Sequence, residues 1–596
     1  MLTPGLLFLL SGLARLLAAT ALIFCATYSL EKFLEISIPT NASFVAVIFG
    51  TPAVIAAKLA WDSYSDKRRA RALGAVEVPQ WAGKWPGSLD VLLLVLKKFK
   101  SGYPADGFWE PIEKLGPVLN IRVLWINQIF TCQPEHIKAL LATQFNNFEK
   151  GKVFHSRMET VLGTGVFNSD GDMWKFHRSM TRPFFSRDRI THFDIFERHA
   201  DEAITAMKDR LRGGYAIDFQ DVMARFTLDS ATEFLFGKCV HSLAAGLPYP
   251  HGDNLNAHRE SNPADRFAKA FGEAQDVIAL RTRAMVVWPL LEIMKDGTKE
   301  PMKVVNEYLE PILQDGIERQ KRAEEAGAVK SDNQDEIDED ETLLDHLVKH
   351  TKDVTILKDE ILNIMIAGRD TTAATLTFAI YALAMYPHVL KKLRGEIMDK
   401  VGPTRRLTYD DIREMKYLRA FINETLRLFP PVPFNVRDSI GETTLPPTTP
   451  GGKPFYIPAR TSVIYTDFMM HRRKDLWGPD ALEFDPDRFL DERLHKYLTP
   501  NPFIFLPFNA GPRICLGQQF AYNETSFMLV KLLQKFDGFT LDEAAQPPDS
   551  RIPASWVNVP GRQSMERFFP KMHLTMYAHK GLWIKMNEAS NDSSAA

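Results

Sequence analysis

A lone cysteine between two glycines constrains this chain more than any other feature. Cys515 lies in the segment Phe508–Gly517, which reads FNAGPRICLG, and the apolar residues after it recur at helical spacing. The pattern predicts a turn that places the sulfur near the positive end of a helix, beside Arg513, where a thiolate is favoured. Gly511 and Gly517 are expected to let the backbone turn tightly and approach a flat ligand closely. An iron-bound thiolate suits this arrangement, and a buried structural thiol is the alternative.

The composition allows a large buried core and argues against several classes of protein. The chain has 596 residues, of which 45% are hydrophobic, and its formal net charge is -2, so nothing indicates nucleic-acid binding. The four cysteines, at positions 25, 132, 239 and 515, are far apart and show no paired spacing. A disulfide framework or a zinc site is therefore not expected, and a reduced, cytosol-facing domain is expected instead.

Two apolar stretches at the N-terminus predict a membrane anchor. Leu2–Leu30 is mostly apolar apart from Arg15, and Ala42–Trp61 has about the length that spans a bilayer. Basic residues between 67 and 71 follow the second stretch and mark the cytoplasmic side. Two spans would put the N-terminus in the cytosol, with a short lumenal loop over 31–41, although Arg15 disfavours the first span. A cleaved signal peptide is the alternative, but a basic n-region is missing.

The rest of the chain predicts one large, mainly helical domain with small β-sheets. We expect an anchor of one or two transmembrane helices over 1–66, a basic and proline-rich hinge over 67–87, a folded domain over 88–586 and a disordered tail over 587–596. Most of the stretch over 218–398 is expected to be helical. Hairpins are expected over 118–131 and 574–586, and a solvated acidic loop over 324–341.

A segment of small residues interrupts a long apolar helix predicted over Leu357–Tyr386. It reads AGRDTT at positions 367–372, where Gly368 weakens the helix and the threonine hydroxyls can bond backbone carbonyls and bend it. Such a bend, or a π-bulge, would open a groove beside a cofactor. Asp370 and Thr371 would then form a proton-delivery pair. The alternative is a contact patch of small residues.

Three charges predict a buried network behind the cysteine loop. Glu424 and Arg427 lie three residues apart on one helix face, and Arg488 belongs to the segment FDPDRF at 484–489. If Arg488 joins the other two, burial of the network is stable only when every group is paired. An ordinary solvated helix pair is the alternative.

A basic aromatic segment, WKFHR at 174–178, predicts a site for a carboxylate. Trp174 and Arg178 lie four residues apart on one helix face, and an indole N–H together with a guanidinium suits a carboxylate. Arg437 and Arg513 are candidates for further positive charge. A solvated basic helix is the alternative.

These motifs occur in the order found in the cytochrome P450 enzymes, which the chain resembles from about residue 80 to its C-terminus. The cysteine motif fits the family pattern F-x-x-G-x-R-x-C-x-G in full, and AGRDTT, ETLR, FDPDRF and WKFHR also fit. The resemblance implies the cytochrome P450 fold, with haem between a long central helix and the cysteine loop, and makes the domain over 88–586 catalytic. It also implies a haem-thiolate monooxygenase that uses dioxygen and electrons from NADPH.

The same resemblance implies a role for each motif residue. Cys515 would be the axial ligand of the iron in haem b (iron protoporphyrin IX), and Asp370 with Thr371 would guide protons and dioxygen. The residues implied to hold the haem, largely through its propionates, are Arg513, Trp174, Arg178, Arg437, Phe508, Gly511 and Gly517. The residues implied to support the haem-binding core are Glu424, Arg427 and Arg488.

A narrower resemblance concerns the substrate. The segments RFTLDSATEF at 225–234 and HRRKD at 471–475 look like those of the fungal membrane-bound alkane and fatty-acid hydroxylases. This implies terminal or near-terminal hydroxylation of long aliphatic chains. Oxidation of other hydrophobic compounds such as aromatic xenobiotics, a haem-thiolate isomerase or peroxygenase, and a non-catalytic haem protein are the alternatives. The residues implied to line the pocket, or else to be ordinary core residues, are Ile364, Ala367, Thr372, Phe434 and Val436.

The resemblance also implies partners and a location. The partners are an NADPH–cytochrome P450 reductase, cytochrome b5 as a second partner, a lipophilic substrate and the membrane. The location is the endoplasmic reticulum membrane, with the catalytic domain facing the cytosol. No flavin or nicotinamide fingerprint stands out, so the electrons are expected from a separate protein. A basic docking face for that protein is expected from Lys175, Arg182, Lys531 and Lys535.

Overall fold

The computed structural model describes residues 2–34, 39–185, 193–258, 262–325 and 341–590. The α-helices are α1 (Pro4–Leu34), α2 (Thr40–Ala72), α3 (Leu89–Ser101), α4 (Trp109–Leu115), α5 (Pro134–Lys138), α6 (Gly151–Leu162), α7 (Gly171–Thr181), α8 (Asp194–Arg212), α9 (Phe219–Phe236), α10 (Pro263–Arg283), α11 (Lys299–Glu325), α12 (Leu343–His350), α13 (Val354–Met385), α14 (Pro387–Lys400), α15 (Tyr409–Glu414), α16 (Lys416–Leu428), α17 (Asp467–Met470), α18 (Lys474–Trp477) and α19 (Gln518–Lys535). The strands are β1 (Val76–Glu77), β2 (Gln80–Trp81), β3 (Val118–Ile121), β4 (Gln128–Thr131), β5 (Phe148–Glu149), β6 (Ile217–Asp218), β7 (Asn435–Ser439), β8 (Thr443–Leu445), β9 (Phe455–Ile457), β10 (Ser462–Tyr465), β11 (Phe536–Leu541), β12 (Pro570–Met572), β13 (Met576–Ala578) and β14 (Trp583–Glu588).

The first two helices fit the membrane anchor that the apolar stretches predict. Over Pro4–Phe33 and Val45–Ala72 they are long and apolar enough to cross a bilayer, and they pack against each other. The start of α1 also contacts the folded body, because the Thr3 hydroxyl donates to the Ile293 carbonyl at 2.6 Å. The end of α2 leads directly into β1. Both ends of the anchor therefore meet the body.

The segment over 67–87, predicted as a hinge, is built into regular structure. The basic residues lie on α2, which continues to Ala72. Strand β1 pairs with β9, and β2 pairs with β3. The segment between anchor and body is therefore ordered by pairing with two distant strands, which the local sequence does not reveal.

The sheets are small and lie beside the helices. The largest has the strand order β2-β3-β4-β10-β7-β5, and it contains the hairpin predicted over 118–131 as β3 and β4.

The prediction of a second hairpin over 574–586 is wrong. The turn is present, with positive φ at Lys580 and Gly581, but β13 before it pairs with β12, whereas β14 after it pairs with β11 and β6.

Two predicted segments fall partly or wholly beyond the described residues. Strand β14 extends to Glu588, two residues into the predicted tail, and 591–596 lie outside the described residues. Most of the predicted acidic loop, over 326–340, also lies outside them.

Helix α13 forms the centre of the core. Its first turn is capped by the Asp353 carboxylate, which accepts from the backbone N–H groups of Thr355 and Ile356, and it ends before Pro387. It is buried along most of its length against α9, α16 and α19, which explains why it is apolar on nearly all sides. The helix is continuously α-helical through 354–385, so the π-bulge predicted beside Gly368 does not occur.

Candidate functional site

A cavity of about 490 Å³ lies between α13, strand β7 and the loop before α19. All the residues predicted to line a pocket are on its wall, namely Ile364, Ala367, Thr372, Phe434 and Val436. The other predicted site residues on this wall are Trp174, Arg178, Thr371, Arg437, Phe508, Arg513, Cys515 and Gly517. Gly511, Asp370 and the charge network around Glu424 lie behind the wall.

The cysteine loop holds its sulfur at the edge of this cavity. The Cys515 N–H donates to the Phe508 carbonyl at 3.0 Å, which closes the loop, and α19 begins three residues later at Gln518. Cys515 is exposed to the cavity but otherwise enclosed by protein, and this burial raises the pKa of the thiol. The Gly517 N–H and the charge of Arg178 oppose that rise only in part. Of the three sources that can favour a thiolate, the backbone N–H and the nearby positive charge are present here, and a bound metal would add the third.

The two glycines of the loop differ in backbone conformation and in the atoms that surround them. Gly511 has a φ of 67°, and a Cβ there would overlap the carbonyl oxygen of Leu141, which lies in a π-helical turn at Ala139–Thr143. The missing Cβ at Gly511 therefore allows the Leu141 backbone to approach the loop closely. Gly517 has an ordinary φ of -83°, and a Cβ there would meet Phe185 at 3.7 Å. The prediction that Gly517 is needed for a tight turn is wrong.

A cluster of three cations lies on one side of the cavity. Lys150, Arg437 and Arg513 all line it, and burial together with the two neighbouring guanidiniums holds the pKa of Lys150 well below its usual value. Arg513 is paired with Asp170 at 2.6 Å, yet burial and Arg437 still lower its pKa to about 10. Within the described residues Arg437 Nε has no hydrogen-bond acceptor. Asp170 and Asp438 oppose the shift at Lys150, so the three basic groups still outnumber these carboxylates and favour a ligand with more than one carboxylate.

Lys150 was not predicted, because a single lysine outside any motif is indistinguishable in sequence from a surface residue. Trp174 supports the same cluster, since the Arg513 guanidinium lies 4.5 Å from the centroid of its ring. Arg178, predicted to bind the same carboxylate, lines the cavity and also donates to the Ile514 carbonyl at 2.9 Å, which braces the cysteine loop.

The donor set fits haem. A thiol faces a cavity that α13 covers, and the three cations stand at its side, where the two propionates of iron protoporphyrin IX would compensate the unpaired charge. Cys515 would hold the iron, and Lys150, Arg437 and Arg513 would hold the propionates. When bound, haem with a thiolate ligand supplies the oxidising centre.

The predicted proton-delivery pair is divided between two environments. The Thr371 hydroxyl donates to the Ala367 carbonyl at 2.6 Å, as predicted for a threonine that bonds its own helix, and the residue lines the cavity. Asp370 does not line it. Its carboxylate accepts from Gln275 of α10 at 2.8 Å and from Arg369 at 2.9 Å.

A buried acid that the sequence did not single out lies behind the same stretch of α13. Glu524 of α19 is about 1% exposed, and burial raises its pKa to about 8, opposed in part by a hydrogen bond with Thr372. No charged group of the described residues contributes to this shift. Glu524 is therefore protonated at neutral pH.

The charge network forms as predicted. Arg427 donates to both oxygens of Glu424 at 2.7 and 2.8 Å, and Arg488 Nε lies 3.5 Å from the same carboxylate. All three side chains are buried. The remaining Arg427 donors go to the backbone carbonyls of His471, Ala481 and Glu483. Every guanidinium nitrogen of Arg427 thus has an acceptor, which satisfies the condition for burying the Glu424–Arg427 pair. Arg488 Nε has no hydrogen-bond acceptor among the described residues, so the condition is not met for the whole network.

His471 connects this network to the cysteine loop. Its Nδ1 donates to the Arg427 carbonyl at 3.1 Å, and its Nε2 accepts from the Leu506 N–H at 3.1 Å, just before the loop. Burial and the neighbouring guanidiniums hold the pKa of His471 well below its usual value, so the ring stays neutral.

The predicted docking face is only partly present. Arg182 is exposed, and Lys175 is exposed with Asp172 at 2.9 Å from its ammonium. Lys531, however, is buried and paired with Asp201 at 2.7 Å. The prediction for Lys531 is wrong, because α8 covers that face of α19 and supplies the acid.

Comparison with known proteins agrees with this geometry. The family model described as Cytochrome P450 matches residues 86–565, which is most of the chain. The chain belongs to the cytochrome P450 family. It is 32% identical over 573 residues to Cytochrome P450 52A3-A of Candida maltosa, which covers 93% of this chain and 99% of that protein. It is 38% identical over 427 residues to Cytochrome P450 52-M1 of Starmerella bombicola, covering 69% of this chain and 75% of that protein.

A further relative carries the reaction in its name. Cytochrome P450 monooxygenase g430 of a Fusarium species is 35% identical over 481 residues, covering 79% of this chain and 80% of that protein. This P450 is a haem-iron monooxygenase of mainly helical fold with small sheets, and it depends on a redox partner and acts on a lipophilic substrate.

Proposed function

We propose that this P450 hydroxylates unactivated C–H bonds at or near the end of long-chain alkanes or fatty acids. The observation that carries the proposal is the cavity, which is lined mainly by apolar side chains and leads to Cys515. Ile364, Ala367, Phe434 and Val436 offer contacts suited to an aliphatic chain. The anchor formed by α1 and α2 supports a substrate that partitions into lipid.

The site residues act as follows in this proposal. Cys515 binds the haem iron, Arg437, Arg513 and Lys150 bind the propionates, and Trp174 supports Arg513. Phe508 and Gly517 form part of the wall of the haem pocket, whereas Gly511 and Arg178 fix the cysteine loop. The residues that stabilise the haem-binding core are Glu424, Arg427 and Arg488.

Protons reach dioxygen through the pair on α13. Thr371 faces the cavity, and Asp370 lies one residue away on the side of α10, so Asp370 is the donor from outside and Thr371 is the last group before the reacting oxygen. The surrounding apolar wall excludes bulk water from this route.

The electrons come from NADPH through a separate reductase, with cytochrome b5 as a second donor, and exposed Lys175 and Arg182 belong to the docking face. The protein is held in the endoplasmic reticulum membrane with its catalytic domain in the cytosol. Residues 1–66 form the bulk of the anchor, and the domain over 88–586 is catalytic. The contact between Thr3 and Ile293 supports two spans, because it requires the N-terminus on the same side as the catalytic body.

The test uses full-length protein in membranes. The reduced, carbon-monoxide-treated wild type should show the long-wavelength Soret band of a thiolate ligand, Cys515→Ser should lose it, and Cys132→Ser, which changes a buried thiol away from the cavity, should keep it. A panel of alkanes, fatty acids and aromatic compounds should then give a spin-state change for the aliphatic chains. A response to aromatic compounds alone would contradict the substrate class, and turnover with peroxide but not with NADPH would favour the peroxygenase.

A further inference from the structure

One cation on the cavity wall takes no part in the haem site. Arg283 is the last residue of α10 and lines the cavity beside Phe99 of α3 and His573 of the β12–β13 hairpin. Its described contacts are with these elements, and none is with the cysteine loop or α19. Arg283 and Cys515 therefore stand on separate walls of the same cavity.

The guanidinium of Arg283 is held in place but not neutralised. Nη1 donates to the Ala279 carbonyl at 2.8 Å, and Cζ lies 3.9 Å from the centroid of the Phe99 ring. Nη2 reaches the carbonyls of Met572 and His573 only at 3.4 Å. No carboxylate of the described residues lies within ion-pair distance of Arg283.

The neighbouring cation Lys98, unlike Arg283, has a carboxylate partner. Lys98 also lines the cavity, and Asp106 neutralises it at 2.9 Å. Burial lowers the pKa of Arg283 to about 9, with Tyr577 and Asp276 opposing that shift only in part, so the side chain still carries its charge at neutral pH. Even a half-buried guanidinium without a counter-charge is costly, and a ligand carboxylate would remove that cost through two parallel hydrogen bonds.

The position of Arg283 also indicates which end of the cavity faces the lipid. The chain continues from it into Met285–Glu292, on which the start of α1 packs, and Leu290, Leu291 and Met294 are exposed there. Exposed apolar residues beside a membrane helix place this end of the cavity at the lipid surface. A fatty acid leaving the bilayer would keep its carboxylate at that end and insert its chain.

We propose that Arg283 binds the carboxylate of a long-chain fatty acid and thereby directs the methyl end of the chain towards Cys515. This inference rests on the proposed function and narrows its substrate from alkanes or fatty acids to the acids, with oxidation at the chain terminus. Arg283 is thus a substrate-binding residue that determines specificity and regiochemistry.

The experiment compares two ligands of equal chain length, palmitic acid and hexadecane, in full-length haem-loaded protein with its reductase. Arg283→Gln should weaken palmitic acid binding, measured by spin-state titration, by about 10-fold or more and leave hexadecane within about 2-fold. Arg283→Lys should fall between wild type and Arg283→Gln. Arg266→Gln, on an exposed face of the same helix, is the matched control and should change neither ligand.

Product analysis supplies a second measurement that a merely structural role would not move. In Arg283→Gln the remaining oxidation of palmitic acid should spread from the terminal carbon to in-chain positions. Equal losses for acid and hydrocarbon, or no loss for either, would overturn the inference. Wild type that oxidises hexadecane but does not bind palmitic acid would also overturn it and leave the proposed function standing, whereas wild type that oxidises neither would refute both.

Discussion

Gln275 donates a hydrogen bond of 2.8 Å to the carboxylate of Asp370 and so ties α10 to the centre of α13. Gln275 is buried, and Arg369 holds the other carboxylate oxygen at 2.9 Å. The acid is therefore fixed on the outer side of α13, while the adjacent Thr371 faces the cavity. This arrangement separates a charged group from the reacting site by one residue of helix.

Thr371→Ala should uncouple electron use from product formation. The hydroxyl is the only group of the proposed pair that reaches the cavity, so without it we expect product per NADPH to fall by about 10-fold or more and hydrogen peroxide to rise. Thr375→Ala is the matched control, because Thr375 lies one turn further along α13, lines the same cavity and bonds the Thr371 carbonyl at 2.8 Å. Unchanged coupling in Thr371→Ala would refute the proton role.

Arg427→Leu should prevent stable folding of the haem-binding core. The change leaves the Glu424 carboxylate buried with only Arg488 and the Asp485 N–H as partners, so the free energy of unfolding should fall by about 3–5 kcal/mol. Chemical unfolding followed by the Soret band measures the loss. Lys416→Leu, on an exposed position of the same helix, should stay within about 0.5 kcal/mol, and a similar value for Arg427→Leu would show that the network adds no stability.

Gly511→Ala should disturb the cysteine loop from behind. The residue has a φ of 67°, and an added Cβ would overlap the Leu141 carbonyl, so we expect a loss of at least about 2 kcal/mol and a smaller carbon-monoxide Soret band. Gly395→Ala in α14 meets no atom within 4 Å and should instead add about 0.5–1 kcal/mol. If both variants kept the wild-type spectrum and stability, the close approach at Gly511 would have no structural importance.

Glu524→Gln should change how stability depends on pH. The raised pKa of about 8, against an ordinary value of 4.5, means that the folded protein binds a proton that the unfolded chain releases between these values. The contribution of Glu524 is full below pH 4.5 and is lost as the pH rises through about 8, at about 1.4 kcal/mol per unit. The variant should match wild type near pH 5 and exceed its melting temperature at pH 9. A constant difference across this range would contradict the assignment.

The sequence predicted the parts of the site whose chemistry is carried by short motifs. The loop around Cys515, the Glu424–Arg427 pair and the segment with Thr371 each combine unusual residue types at fixed spacing, so each is recognisable locally. Lys150 and Arg283 were not predicted, because their importance comes from burial beside a cavity and from the lack of enough counter-charge, and neither property is written in neighbouring residues.

The features of the fold that were not predicted also depend on contacts between residues far apart in the sequence. The alternation around Lys580 predicted a hairpin, but local pattern specifies a strand and not its partner, and the two strands joined different sheets. The hinge over 67–87 was expected from its proline and glycine content, whereas pairing with distant β9 and β3 ordered it. The long helices were predicted well, because their apolar spacing and caps are local.

Gly5→Leu should release the first helix from the catalytic body. A Cβ at Gly5 would lie 2.5 Å from the Cα of Ile293, so a larger side chain must push α1 away from Met285–Glu292. We expect faster limited proteolysis within 285–294 and a higher KM for a membrane-partitioned substrate. Gly12 lies on the same helix, and a Cβ there would meet no atom within 4 Å. Gly12→Leu should therefore leave the proteolysis rate and the KM unchanged. Equal behaviour of the two variants would show that the contact does not restrain this segment.

A folded body that contacts its two membrane helices at two points cannot turn relative to them as a body joined by a single linker can. Thr3 and Gly5 hold one side of the body against α1, and the passage from α2 into β1 holds the other, so rotation and tilting of the body relative to the two helices are both restricted. With the two helices embedded in lipid, as proposed, the end of the cavity at Arg283 would then stay at a constant depth in every copy of the enzyme.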